Sequence, residues 1–150
     1  DSVVVGETSG AATCVGFQTK SGRTTQGWLP SARLAPAKPR AADWAGYWGE
    51  KDRFVSIKAT GDTLVVDARM TYQGGGPVFS GAFKAKIAAT DPILSFAVDD
   101  KGRPVDPAKA EDACKVKMAL VGPLLLVSDQ GCVGAGSAAT FEGAYTKAKR

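Results

Sequence analysis

The sequence contains no histidine, so the side chains that could carry out chemistry are its carboxylates, lysines, serines and three cysteines. The lack of histidine excludes Ser-His-Asp and Cys-His catalysis and histidine-ligated metals, and it removes the usual general base. Glycoside hydrolysis by two carboxylates would remain open. The candidates for such a pair are Asp99, Asp100, Asp112 and Glu142.

The sequence does not single out any of these groups as catalytic. Asp99 and Asp100 are neighbours in a charged segment that has the composition of a solvated turn. Ser80 and Lys84 have the residue types of a Ser-Lys dyad, but no adjacent signal indicates an activated serine. The glycines at 74–76 lack the Lys-Ser/Thr that follows a phosphate-binding loop. We therefore expect no enzymatic activity, no metal and no cofactor.

Two of the cysteines, Cys114 and Cys132, lie at the outer ends of two strand-like runs that flank a turn at 121–123. In the first run, apolar residues alternate with Lys115 and Lys117, the pattern of a strand with one buried face. If the two runs pair as a hairpin, the cysteines meet at its open end. The sequence therefore predicts a Cys114–Cys132 disulfide, with both lysines on the outward face.

The third cysteine, Cys14, is left as a free thiol or as the partner of a cysteine that precedes Asp1. A structural disulfide persists in a periplasm or outside the cell rather than in a cytosol. We expect a periplasmic or secreted bacterial protein. The sequence has no apolar run near the roughly 18 residues of a membrane helix, so membrane insertion is not expected.

The chain as a whole has the pattern of an all-β protein divided by a proline-containing linker. Short alternating runs separated by Gly, Pro and Asp turns continue from residue 42 onward. Pro36 and Pro39 favour an extended connection. We expect a first segment at 1–38, a linker at 39–41 and a second domain at 42–150.

The first segment ends in Gly27-Trp28-Leu29-Pro30-Ser31-Ala32-Arg33-Leu34, which resembles the closing motif of bacterial SH3-like domains. The resemblance implies a partial SH3-like barrel that lacks its first strand, with a strand that runs into a single 3₁₀ turn. It implies Trp28 and Arg33 as binding residues. Arg33 occupies the usual tyrosine position of the family's ligand groove, so polyproline binding is not expected. In the alternative interpretation, Trp28 is only a core residue.

The second domain begins with Trp44-Ala45-Gly46-Tyr47-Trp48 and ends with Phe141-Glu142-Gly143-Ala144-Tyr145. This pair of motifs resembles small lipocalin-like barrels. It implies an antiparallel up-and-down β-barrel of about eight strands with aromatic residues plugging its interior. Exported, disulfide-stapled barrels of this kind include lysozyme inhibitors, in which a loop offering Ser and Lys enters the acidic active-site cleft. Ser80 and Lys84 would be that pair here.

The net charge of +4 and the lack of catalytic groups favour a non-catalytic protein of the bacterial cell envelope that works by binding. The expected partner is a protein, with a lysozyme as the sharpest choice, or peptidoglycan. Nucleic acid is not expected, because the basic residues are scattered without an aromatic stacking platform. One alternative is a scaffold module that binds peptidoglycan or protein through its SH3-like segment. That segment carries Lys20, Arg23, Arg33, Lys38 and Arg40.

A further alternative is a carrier that holds a small apolar ligand inside the second barrel. Phe79, Phe83 and Met118 are the large residues expected in its interior, and they leave little room for a ligand.

Overall fold

The computed structural model confirms an all-β chain built of antiparallel sheets. Its strands form a three-stranded, a four-stranded and a five-stranded sheet. Among the described residues, no helix is long and apolar enough to cross a membrane. The structure describes residues 3–19, 21–36, 38–108, 111–133 and 139–148.

The three-stranded sheet contains β1 (Val4–Ser9), β2 (Ala12–Gln18) and β3 (Thr24–Pro30) in sequence order. A 3₁₀ turn at Ser31–Arg33 follows β3, as the sequence predicts. Val15 is 1% exposed, but four large apolar residues of this sheet face solvent. They are Val4, Val5, Trp28 and Leu29.

Trp28 is therefore not a core residue, and the interpretation that gave it only that role is wrong. Its side chain is 55% exposed, and it lies opposite Cys14 in the β2–β3 pairing. Cys14 is a free, half-buried thiol. Among the side chains that the structure describes, none from the three-stranded sheet belongs to the main hydrophobic core. Whether Trp28 is buried depends on whether another element packs on its side of the sheet. The alternation of residues along one strand does not predict that packing.

A single helical turn, α1 (Ala41–Trp44), leads into the other two sheets. Asp43 accepts hydrogen bonds from the backbone and guanidinium nitrogens of Arg40 at 2.8 Å each. This contact lowers the pKa of Asp43 and anchors the start of the turn. The turn places Trp44, which is fully buried, in the core.

The four-stranded sheet is a simple meander and the five-stranded sheet is a meander with a short added edge strand. The strands of the first are β4 (Gly46–Glu50), β5 (Arg53–Thr60), β6 (Thr63–Gln73) and β7 (Val78–Ala88). Those of the second, in spatial order, are β12 (Gly143–Thr146), β11 (Leu124–Gln130), β10 (Cys114–Val121), β8 (Ile93–Val98) and β9 (Pro104–Val105).

The eight long strands follow one another as in an up-and-down barrel, but their ladders do not close into one continuous sheet. The four-stranded and five-stranded sheets are joined by two isolated bridges, Trp48↔Lys147 and Gly81↔Val133. The free edge of β8 pairs with β9 instead of β7. At the second bridge, a Cβ on Gly81 would lie 2.7 Å from Cγ2 of Val133, so the close approach requires glycine.

The core lies between these two sheets and is filled by aromatic and aliphatic side chains. The ring centroid of Phe83 on β7 lies 6.0 Å from that of Phe96 and 5.0 Å from that of Phe141. The opening and closing motifs supply further large buried residues, as the sequence predicts. These are Trp44, Trp48, Phe141 and Tyr145, all 5% exposed or less.

The predicted hairpin and its disulfide are confirmed. β10 and β11 pair from Val121↔Leu124 to Lys115↔Gln130, and a bond joins Cys114 to Cys132 at the open end. The cysteines are 18 residues apart, so the crosslink contributes roughly 3 kcal/mol by restricting the unfolded chain. A stapled all-β fold of this kind is compatible with a location outside the cytoplasm.

Candidate binding surface

The outward side of the four-stranded sheet concentrates positive charge. Register brings Lys58 of β5 opposite Val65 of β6, and Val65 opposite Lys86 of β7. In an antiparallel sheet, directly opposite residues point to the same side. We call the following set the cationic face: Lys58, Arg69, Lys84 and Lys86, with Asp67 among them.

The cationic face carries four positive groups and one carboxylate, a net charge of +3. Asp67 lies between Arg69 Nε at 3.6 Å and Lys84 Nζ at 3.3 Å. Among the described residues, neither Lys58 nor Lys86 forms an ion pair. Two of the four cations, Lys58 and Lys86, are therefore available to an external anion without first leaving an ion pair.

The cationic face is a solvent-exposed part of the paired strands β5, β6 and β7. Lys58, Arg69, Lys84 and Lys86 are exposed, and Val65 between two of them is 44% exposed. With strands about 4.8 Å apart and a rise of about 3.3 Å per residue, the face spans roughly 10 by 13 Å. Such a surface fits an extended anionic partner better than a single small ion.

The structure places Ser80 and Lys84 on β7, not on a protruding loop. The residues of 79–84 alternate between inward and outward positions, and both predicted residues point outward. Lys84 follows Ser80 by four positions along the strand, which is roughly 13 Å. The expectation that they lie on an inserting loop is wrong, because β6 pairs with β7 along its whole length from Val78 to Ala88.

Lys115 and Lys117 lie on β10, on the outward side of the five-stranded sheet. Lys117 is exposed beside Ser95 and Ser128, and Lys115 is half-buried. Both lysines line a groove of about 300 Å³ against Pro107. These lysines therefore belong to the opposite face from Ser80 and Lys84.

Trp28 and Arg33 belong to a third surface. Arg33 is exposed in the 3₁₀ turn that follows the β3 strand of Trp28. The six residues predicted for binding are thus distributed over three surfaces. Of these six, the structure brings only Lys84 into a larger cluster of charge.

The carboxylates weighed for catalysis are partly brought together. Asp99, Asp100 and Asp112 line a cleft of about 580 Å³ between β7 and the disulfide, whereas Glu142 lies outside it. Arg103 Nη2 contacts Asp99 at 2.7 Å. Its hydrogen bonds lower the pKa of Asp99, which keeps this carboxylate ionised and unsuited to donate a proton.

No described group of three or more His, Cys, Asp or Glu side chains is arranged to hold a metal. Near β12, between the four-stranded and five-stranded sheets, the polar side chains form structural contacts. Arg53 Nε donates to Tyr145 Oη at 2.9 Å, and Tyr145 donates to the carbonyl oxygen of Phe141 at 2.6 Å. Burial raises the pKa of Tyr145, which keeps its proton in place for that bond.

Sequence reasoning missed Lys58, Arg69 and Lys86 as members of a site. Each is an outward residue of an alternating run. The sequence could therefore have shown that each side chain points to solvent, but not that the three lie together. Their convergence appears only when β5, β6 and β7 are placed in register. Comparison with protein-family models, with curated proteins and with solved structures finds no significant match to this chain.

Proposed function

We propose that this chain is a non-catalytic binding protein of the bacterial cell envelope, and that the cationic face takes an extended anionic envelope polymer such as peptidoglycan. The observation that carries the proposal is the net charge of +3 on one exposed sheet face. The carboxylates of an anionic polymer would form charge-assisted hydrogen bonds with these cations. The disulfide supports a periplasmic or secreted location.

The position of these cations within paired strands favours a polymer over the active-site cleft of a lysozyme. Inhibition by insertion requires a protruding segment, whereas Ser80 and Lys84 lie within a paired strand. Lys84 also has an intramolecular partner, Asp67. A carrier function is equally disfavoured, because Phe83, Phe96 and Met118 fill the space between the sheets.

The test is retention on insoluble peptidoglycan across a salt series. The wild type should be pelleted at low ionic strength and released as salt rises, because salt screens exposed charges. Reversing three cations in a Lys58→Glu, Lys84→Glu, Lys86→Glu variant should abolish retention.

A matched variant keeps the overall charge change but moves it to the first segment. Arg23→Glu, Arg33→Glu, Lys38→Glu lies outside the cationic face and should be retained like the wild type. If this variant loses retention and the first does not, the SH3-like scaffold alternative takes the place of our proposal. If the wild type is not retained at any ionic strength, the proposal fails.

A further inference from the structure

An aromatic pair lies on the outward side of the same sheet, beside the cationic face. The rings of Tyr47 on β4 and Phe54 on β5 stack with centroids 4.8 Å apart and an angle of 24° between their planes. Neither ring belongs to the core cluster, and both are only half-buried. The pair therefore presents apolar, π-rich surface to solvent.

The pair is continuous with the cations through the sheet register. Phe54 lies directly opposite Arg69, and Tyr47 is separated from Asp67 only by Ser56 in the same row. Lys84 follows Asp67 in that row. Directly opposite residues on neighbouring strands are about 5 Å apart, so one ligand of two or three sugar units could touch both the rings and the cations.

Gly49, opposite Phe54, fixes the local backbone. Its φ is +98°, and a Cβ there would lie 2.4 Å from the carbonyl oxygen of Arg53. Only glycine meets both requirements. As a result, Phe54 has no side chain directly across from it on β4, and its ring meets Tyr47 instead.

We propose that the Tyr47–Phe54 pair and the cationic face together form one binding site for an acidic glycan. This inference rests on the proposed function and names the ligand class of that site. The apolar C–H faces of sugar rings would pack on the aromatic pair, while carboxylates of the glycan bind Arg69, Lys84, Lys86 and Lys58.

Two features favour a glycan over other polyanions. Asp67 at the centre of the face would repel closely spaced phosphates, but it can accept a hydrogen bond from a sugar hydroxyl. The aromatic rings stack on each other and are half-buried, so they do not project as membrane-inserting side chains do. A surface with rings at one side and cations at the other matches a ligand that has both sugar faces and carboxylates.

The test compares three probes against the folded wild-type chain: soluble peptidoglycan fragments, poly-glutamate and phosphatidylglycerol vesicles. A Tyr47→Leu, Phe54→Leu variant should bind the fragments at least tenfold more weakly and bind poly-glutamate as the wild type does. The conservative Tyr47→Phe variant should keep the affinity for fragments, because it keeps the ring. Tyr72→Leu is the control, since Tyr72 is an exposed tyrosine outside the site.

Several results would overturn the glycan assignment while leaving the proposed function intact. They are equal binding of fragments and poly-glutamate by the wild type, and unchanged affinity of the double leucine variant for fragments. Binding to the vesicles alone overturns both proposals. Failure of the wild type to bind fragments and poly-glutamate refutes the anionic partner itself. Thermal unfolding of each variant checks that the fold is intact, and the Tyr47→Phe variant provides the comparison if the double variant unfolds.

Discussion

The outward faces of the four-stranded and five-stranded sheets differ in chemistry although the two sheets enclose one core. The four-stranded sheet presents the cationic face and the aromatic pair. On the five-stranded sheet, one outward row is formed by Ile93, Ala119, Leu126 and Ala144, and Ile93 is 58% exposed. Folding requires only that the inward residues be apolar. The outward side of the five-stranded sheet also carries Lys115 and Lys117, so the two faces differ in the number of cations and in the aromatic pair, and the fold does not require that difference.

The largest expected effect comes from truncating a core side chain that lies between the two sheets. Phe83→Ala should destabilise the protein by about 3–5 kcal/mol, because it leaves a cavity beside Phe96 and Phe141. Denaturant unfolding measures this change. The control is Val65→Ala on the outward side, for which we expect a change within about 0.5 kcal/mol. Similar losses for the two variants would contradict the assignment of inward and outward faces.

Loss of the disulfide should have the next largest effect. It should lower the stability of the protein without changing binding at the cationic face. A Cys114→Ala, Cys132→Ala variant should lose roughly 3 kcal/mol of stability, since the unfolded chain gains freedom. The cationic face belongs to the other sheet, so peptidoglycan retention by the folded variant should be unchanged. Loss of retention at a temperature where the variant remains folded would show that the staple also shapes the binding surface.

The third prediction concerns Asp67, the carboxylate within the cationic face. Asp67→Asn raises the charge of the face from +3 to +4 and frees Arg69 and Lys84 from their ion pairs. Retention should persist to higher salt, while stability changes by less than about 1 kcal/mol because both cations of these pairs are largely exposed. Asp91→Asn makes the same charge change before β8 and should leave the salt profile unchanged. If both variants shift the profile equally, overall charge and not the face determines binding.

The smallest predicted effect is an acid-sensitive contact at the edge of the five-stranded sheet. The pKa of Asp99 is lowered by Arg103, so their pair stabilises the fold above the ordinary aspartate pKa. This contribution should be lost as pH falls through the lowered pKa of Asp99. Asp99→Asn should therefore flatten the acid side of a stability-versus-pH curve. A curve identical to that of the wild type would show that the pair contributes nothing.

The inward and outward alternation of the long strands was predictable from sequence. The apolar positions of β7 and β10 are inward as expected, and the cysteines meet at the end of the hairpin. This succeeded because side-chain direction in a strand has a period of two residues. The hairpin turn at 122–123 is short, so it also fixed the β10–β11 register.

The candidate site was not predictable in the same way, because it depends on pairing between strands. Arg69 and Lys84 become neighbours of Asp67 only after β6 and β7 pair, and a slip of one residue would send these side chains to the other face. The loop at 74–77 does not specify that register from its composition alone. The expectation of an inserting Ser80–Lys84 loop failed for a different reason. It came from the resemblance to lysozyme inhibitors and not from the alternation of these residues, which is that of a strand.

The most direct test of the account is a map of amide chemical shifts as soluble peptidoglycan fragments are added to the isotope-labelled protein. The account predicts that the largest changes lie on β4 to β7, at Tyr47, Phe54, Lys58, Asp67 and Lys84. Changes concentrated at Lys115 and Lys117, or in the first segment around Trp28 and Arg33, would contradict the claim that the cationic face is the binding surface.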